Sequence, residues 1–182
     1  MKKNILTFVN VLMAVSAAAA LMLSVNSCKD DNDDEDEVVP TITWEKNPTF
    51  ATTELAAKMD VELELEAKDG IKGLTIKVES PTATFIGLLN GMVTIAGNKS
   101  ETAPVLDLIK DPGISTALAA FGVPTGSSLS GKTDVDFSLS TLVPMIMTMS
   151  PAANTNHVFT ATLTDATGDT CVKKITFHYT GK

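Results

Sequence analysis

The 182-residue chain contains no arginine; all fourteen of its basic residues are lysine. Two-pronged clamps on phosphate and carboxylate favour the guanidinium fork, and nucleic-acid binding needs clustered positive charge. With a net charge of −8 the chain offers neither, which excludes nucleic acid as a partner. Aromatic side chains are scarce as well: one tryptophan, one tyrosine and seven phenylalanines. Two histidines, His157 and His178, leave little for metal or acid–base chemistry. There are two cysteines, Cys28 and Cys171; if Cys28 is acylated, Cys171 has no partner, and packing is then expected to hold the fold. No Gly-x-Ser-x-Gly elbow, phosphate-cradling loop or zinc-type Cys/His spacing occurs. The chain therefore reads as non-enzymatic, with no metal and no cofactor.

One long apolar run is present. Lys2 and Lys3 precede an apolar segment from Ile5 to Val25, and small residues lead up to Cys28. A basic start, an apolar stretch and a cleavable end make a secretory signal. The stretch is long enough to raise a membrane-spanning helix as well. Cys28 decides for anchoring by lipid: a peptidase cutting before a cysteine leaves a thiol that can be acylated. Each buried methylene contributes roughly 0.8 kcal/mol, so several acyl chains together hold a protein in a bilayer.

On the other side of Cys28 begins Lys29-Asp30-Asp31-Asn32-Asp33-Asp34-Glu35-Asp36-Glu37, with seven acids against one lysine. From Cys28 onward the chain has twelve lysines against twenty-two acids, a charge of −10; from Val38 onward the balance is −4. Asp30, Asn32 and Asp34 alternate like the opening of an EF-hand loop. However, Glu35 stands where the turn glycine belongs, and Thr41 where the closing glutamate belongs. A solvated, self-repelling spacer is the better reading.

Leader, Cys28 and acidic tract together resemble Bacteroidota-type outer-membrane lipoproteins, whose acidic residues just after the lipidated cysteine are associated with export to the cell surface. The resemblance implies lipidation of Cys28 with palmitate-type chains, and a surface-export signal in Lys29, Asp30, Asp31, Asp33 and Asp34. It also implies an outer-membrane, cell-surface location, with the membrane as partner through the lipid. Val25, Asn26 and Ser27 depart from the commoner Leu-Ala-Gly form of the cleavage site. The expected organisation is a signal peptide over 1–27, a lipidated cysteine and flexible linker over 28–40, and one domain over 41–182.

Within that domain, Thr41 to Trp44 is β-prone and suits an edge strand, and Thr53 to Lys58 suits one helical turn. Val61, Leu63, Leu65 and Ala67 alternate with Glu62, Glu64 and Glu66, the strict period-2 pattern of a half-buried strand. Leu74, Ile76 and Val78 alternate on the next strand, after Asp69-Gly70. A two-residue hairpin there would set Leu65 opposite Leu74 and Leu63 opposite Ile76. Asp69-Gly70-Ile71-Lys72-Gly73-Leu74 also resembles the corner of bacterial immunoglobulin-like domains, where the chain crosses between sheets, and the resemblance favours that crossover.

Residues 81–131 break the strand pattern. Short helices are expected from Thr84 to Leu89 and from Asp111 to Phe121, the second capped by Asp111 with Pro112 at its first position. An excursion this long either carries function or forms a helical lid over an open sandwich end. Val135, Phe137 and Leu139 return to strand alternation, and Leu142, Val143, Ile146 and Met149 fit one helical face. Two final strands, Val158 to Thr164 and Cys171 to Tyr179, flank Asp165-Ala166-Thr167-Gly168-Asp169. Bringing their apolar faces together requires odd residues to pair with odd ones, which suits a three-residue loop with Gly168 left-handed. This hairpin resembles the closing hairpin of immunoglobulin-like surface domains. The resulting expectation is an all-β fold, an immunoglobulin-like β-sandwich with short helical insertions.

Under that register His157 and His178 fall on opposite faces. Met145, Met147 and Met149 suggest soft-metal ligation, but core filling is the better reading. Glu62, Glu64 and Glu66 form one solvated stripe, not an acid–base pair. Trp44 is the candidate ligand contact, because flat rings stack on sugar faces. The functional expectation is a surface-anchored binding or structural accessory module of an outer-membrane or adhesion-type assembly, with other surface proteins as partners. The alternative is a glycan-binding component of a polysaccharide-uptake system, and a third reading is a fimbrial subunit built by strand exchange.

Overall fold

The computed structural model describes residues 39–182. Mostly β, they form eight strands in two sheets, an arrangement compatible with a β-sandwich. The smaller sheet holds β1 (Thr41–Thr43), β3 (Glu62–Glu66) and β6 (Asp134–Ser138) in the order β1-β3-β6. The larger holds β2 (Thr53–Glu54), β4 (Ile71–Glu79), β5 (Val105–Asp107), β7 (Thr155–Asp165) and β8 (Thr170–Tyr179) in the order β2-β8-β7-β4-β5.

The alternation on β3 does what it predicts: Leu63 and Leu65 are buried, while the three glutamates between and around them are exposed. The hairpin register does not form. Leu65 lies opposite Ile42 and Val135, and Leu74 lies opposite Leu163, so the chain crosses from one sheet to the other between β3 and β4. Gly70 makes that corner at φ +89°, a conformation open mainly to glycine, with Gly131 of the pre-β6 loop packed against it. Ile71 N–H donates to the Lys132 carbonyl and Gly131 N–H to that of Ile71, fastening the corner from its other side.

The closing hairpin has the expected register, with Phe159 opposite Ile175, Leu163 opposite Cys171 and His157 opposite Phe177. Three residues separate Asp165 from Asp169, and Gly168 takes φ +106°. Cys171, opposite Leu163, is fully buried in the core.

Three other expectations change. Residues 53–58 are not helical: Thr53–Glu54 forms β2, parallel to β8, and Leu55 N–H donates to the His178 carbonyl. The excursion includes β5, paired with β4 through Ile76 and Leu106. The helix after β6 is one turn, α3 (Met145–Thr148), following Pro144, although Leu142, Val143 and Ile146 are buried as the pattern requires. The two excursion helices are α1 (Ala83–Met92) and α2 (Pro112–Ala119). Their residues Phe85, Ile86, Leu89, Ile114 and Leu118 join the same hydrophobic cluster as the strands.

Candidate functional site

The outer face of the smaller sheet carries the densest chemistry among the described residues. Period-2 geometry sends Glu62, Glu64 and Glu66 of β3 outward, and the antiparallel register sets Asp136 opposite Glu64 and Asp134 opposite Glu66. Like charges directly opposite across a ladder oppose each other. Carboxylate oxygens of Glu64, Glu66 and Asp134 all lie within 4.8 Å of one another, and all three residues are exposed. Hydroxyls line the stripe: Thr41 Oγ1 donates to Glu66 at 3.2 Å, Thr43 Oγ1 to Glu64 at 3.3 Å, and Ser138 Oγ to Glu62 at 2.7 Å. The five acids belong to one solvated face, in agreement with the stripe read from the sequence.

Trp44 is not at the surface, which corrects its place as a ligand contact. It is 3% exposed, because the turn after β1 folds its ring between Phe50 and Phe177, each with its centroid 6.2 Å away. Among the described residues its indole Nε1 has no hydrogen-bond partner. Tyr179 packs against the same core. The Trp44 ring presents no open face for sugar stacking, and Tyr179 is partly buried. The other residues singled out for function, namely Cys28, Lys29, Asp30, Asp31, Asp33 and Asp34, lie outside the described residues.

The two histidines fall apart as expected: His157 is fully buried, and His178 Nδ1 lies 2.8 Å from Asn156 Oδ1 on the opposite face. What the sequence did not reveal is that His157 Nδ1 lies 2.8 Å from Ser80 Oγ, seventy-seven residues away. Ser80 Oγ also accepts from Thr82 N–H at 3.1 Å. Serine beside histidine is the core of a nucleophile–base pair, which also needs an orienting group and access. Here the second ring nitrogen lies 3.4 Å from Thr155 Oγ1, a hydroxyl already committed to the Ala152 carbonyl. Burial holds His157 below its ordinary 6.5, because desolvation disfavours the imidazolium. The arrangement ties the end of β4 to the start of β7.

A second buried polar node organises the excursion. Asp111, fully buried, accepts at its carboxylate from the N–H groups of Thr94, Ile95, Gly113 and Ile114 and from the Thr94 hydroxyl. Burial pushes this carboxyl up, but the hydrogen bonds of Thr94, Ile95 and Ile114 outweigh it and hold the pKa at about 2. The capping role was legible in Asp111-Pro112; the capture of Thr94 and Ile95 was not. Asp165 repeats the device in the last hairpin, where its Oδ1 accepts from Thr167 Oγ1, Gly168 N–H and Asp169 N–H. The methionine run packs as filler: Met145, Met147 and Met149 are partly buried against the core.

Comparison with family models, curated proteins and solved structures returns no match for this chain. Its functional reading therefore rests on its own residues.

Proposed function

We propose that this protein is a surface-anchored lipoprotein of the outer membrane whose immunoglobulin-like domain acts without catalysis, as a binding or structural accessory module. The observation that carries the reading is the junction at Cys28, an apolar leader ending at a cysteine with a nearly pure acidic tract behind it. Strand order supports the immunoglobulin-like part. One sheet runs β1-β3-β6 and the other contains β8-β7-β4, the relation that strands A-B-E and G-F-C have in that architecture. Burial of Trp44 counts against the glycan-binding alternative, while Tyr179 is partly buried against the core. Strand exchange gains nothing either: β8 is paired with β7 from Thr170 to Tyr179.

The sulfur of Cys28 can carry a thioether lipid or a bridge to Cys171, but not both. The test combines fractionation with mass analysis. The parent and Cys28→Ala are expressed in the native host, and intact cells are treated with protease. The expected result is a membrane-bound parent shaved from intact cells, a released Cys28→Ala protein, and a mature amino-terminal peptide bearing the mass of a lipid. A membrane-bound parent protected in intact cells overturns the surface location. An unlipidated Cys28 joined to Cys171 overturns the anchor itself.

A further inference from the structure

We propose that the free edge of β6 is a docking site for an extended segment of a partner protein, one that alternates basic and apolar residues and adds as a fourth strand. This names the partner-facing surface of the binding module proposed above and rests on that reading.

The backbone supplies the first argument. β6 stands at the edge of its sheet, paired with β3. Leu139 N–H donates to the Val61 carbonyl and Ala67 N–H to that of Thr133, so odd-numbered residues here turn their polar groups between β3 and β6. Alternation then turns those of Asp134, Asp136 and Ser138 outward, away from β3. Among the described residues no strand pairs with that side, and an open row of this kind is a template for strand addition.

Side chains say what would add. A residue on an incoming strand shares a face with the residue directly opposite it. Opposite Asp134 and Asp136 it would stand on the acidic outer face. Opposite Val135, which packs against the core, and Phe137, which is buried, it would stand on the apolar inner face. The cross-strand rows sharpen the charge argument. One row is Thr41, Glu66, Asp134 and the next is Thr43, Glu64, Asp136; each opposes two acids and contains no lysine. A cation arriving beyond β6 completes each row. A second copy of this edge would not: antiparallel pairing about Asp136 sets that aspartate against itself and adds acid to acid.

Purified mature protein, free of any membrane, tests this independently of where the cell places the chain. The probe is a capped peptide of four Lys-Val repeats. Controls are four Glu-Val repeats and a peptide of identical composition in which four lysines precede four valines. Calorimetry is expected to show salt-sensitive binding of the alternating basic peptide, at least tenfold tighter than either control. Amide exchange is expected to slow at Asp134, Asp136 and Ser138. Asp136→Pro removes an outward N–H and no ladder bond, so it should abolish binding. Asp134→Asn with Asp136→Asn keeps the backbone edge and should weaken binding about tenfold. Absence of binding, equal binding of the block peptide, protection elsewhere, or unchanged affinity in the double asparagine variant each overturns the proposal. The last of these decides even if Asp136→Pro fails to fold.

Discussion

The strands and the excursion between β4 and β6 bury the same kinds of side chain, yet they are held by different means. In the larger sheet, apolar residues stand in cross-strand rows such as Leu74, Leu163 and Cys171, or Val78, Phe159 and Ile175. Each row is backed by ladder hydrogen bonds on both sides, so stabilisation is spread over many partners. Residues 93–114 instead converge on Asp111, whose single carboxylate joins the segment after α1 to the start of α2. Distributed apolar contacts carry no titratable group and do not respond to acid; a node built on one carboxylate does. Stability in this domain is therefore expected to fail in different ways at its two levels.

The largest effect should come from the distributed level. Phe159 is fully buried, with its ring centroid 5.7 Å from that of Phe177 and 6.3 Å from that of Phe85. Phe159→Ala should cost about 4 kcal/mol and lower the denaturation midpoint of strands and excursion together. Loss confined to the excursion would break the comparison.

Asp111→Ala comes next, at about 3 kcal/mol, because it removes a cap and strands several buried N–H donors. Exchange should quicken at Thr94, Ile95, Gly113 and Ile114 before it quickens in β4 or β7. Acid reaches the same node. With Asp111 held at about 2 against an ordinary 3.8, its contribution is complete above 3.8 and fades as pH falls through about 2. Asp111→Asn should flatten the acid limb of the stability curve, which a pH series of denaturation midpoints would read.

A smaller effect is expected where the sheet carries its own buried polar pair. Ser80→Ala should cost about 1 kcal/mol through its bond to His157. Since His157 is held below 6.5, the unfolded chain takes up its proton first. Stability is full above about 6.5 and declines as pH falls below it. His157→Gln should remove that slope, leaving the acid limb of Asp111 in place. The smallest effect belongs to the exposed face: Glu64→Gln relieves the opposition to Asp136 and should stabilise by about 0.3 kcal/mol, more at low salt.

Much of the two-sheet fold was legible because alternation is a local property. The buried face of β3, the odd-to-odd pairing of β7 with β8 and the left-handed Gly168 all follow from residues close in sequence. The cap at Asp111-Pro112 was legible for the same reason. β2 and β5 were not, because two- and three-residue strands have no period to read. What makes them strands is a distant partner, as when Leu55 N–H meets the His178 carbonyl. Trp44 misled because an aromatic residue beside a predicted edge looks available until Phe50 and Phe177 enclose it.

By itself, the sequence determined which side of each long strand faces inward, where the loops turn, and that an apolar leader meets a cysteine and an acidic tract. Only the tertiary structure decided that β3 and β4 part company at Gly70, since hairpin and crossover bury the same leucines. It alone brought Ser80 to His157 and drew Thr94 and Ile95 onto Asp111. Local pattern reports the preference of each segment for burial, whereas the choice of partner depends on contacts between segments far apart in the chain.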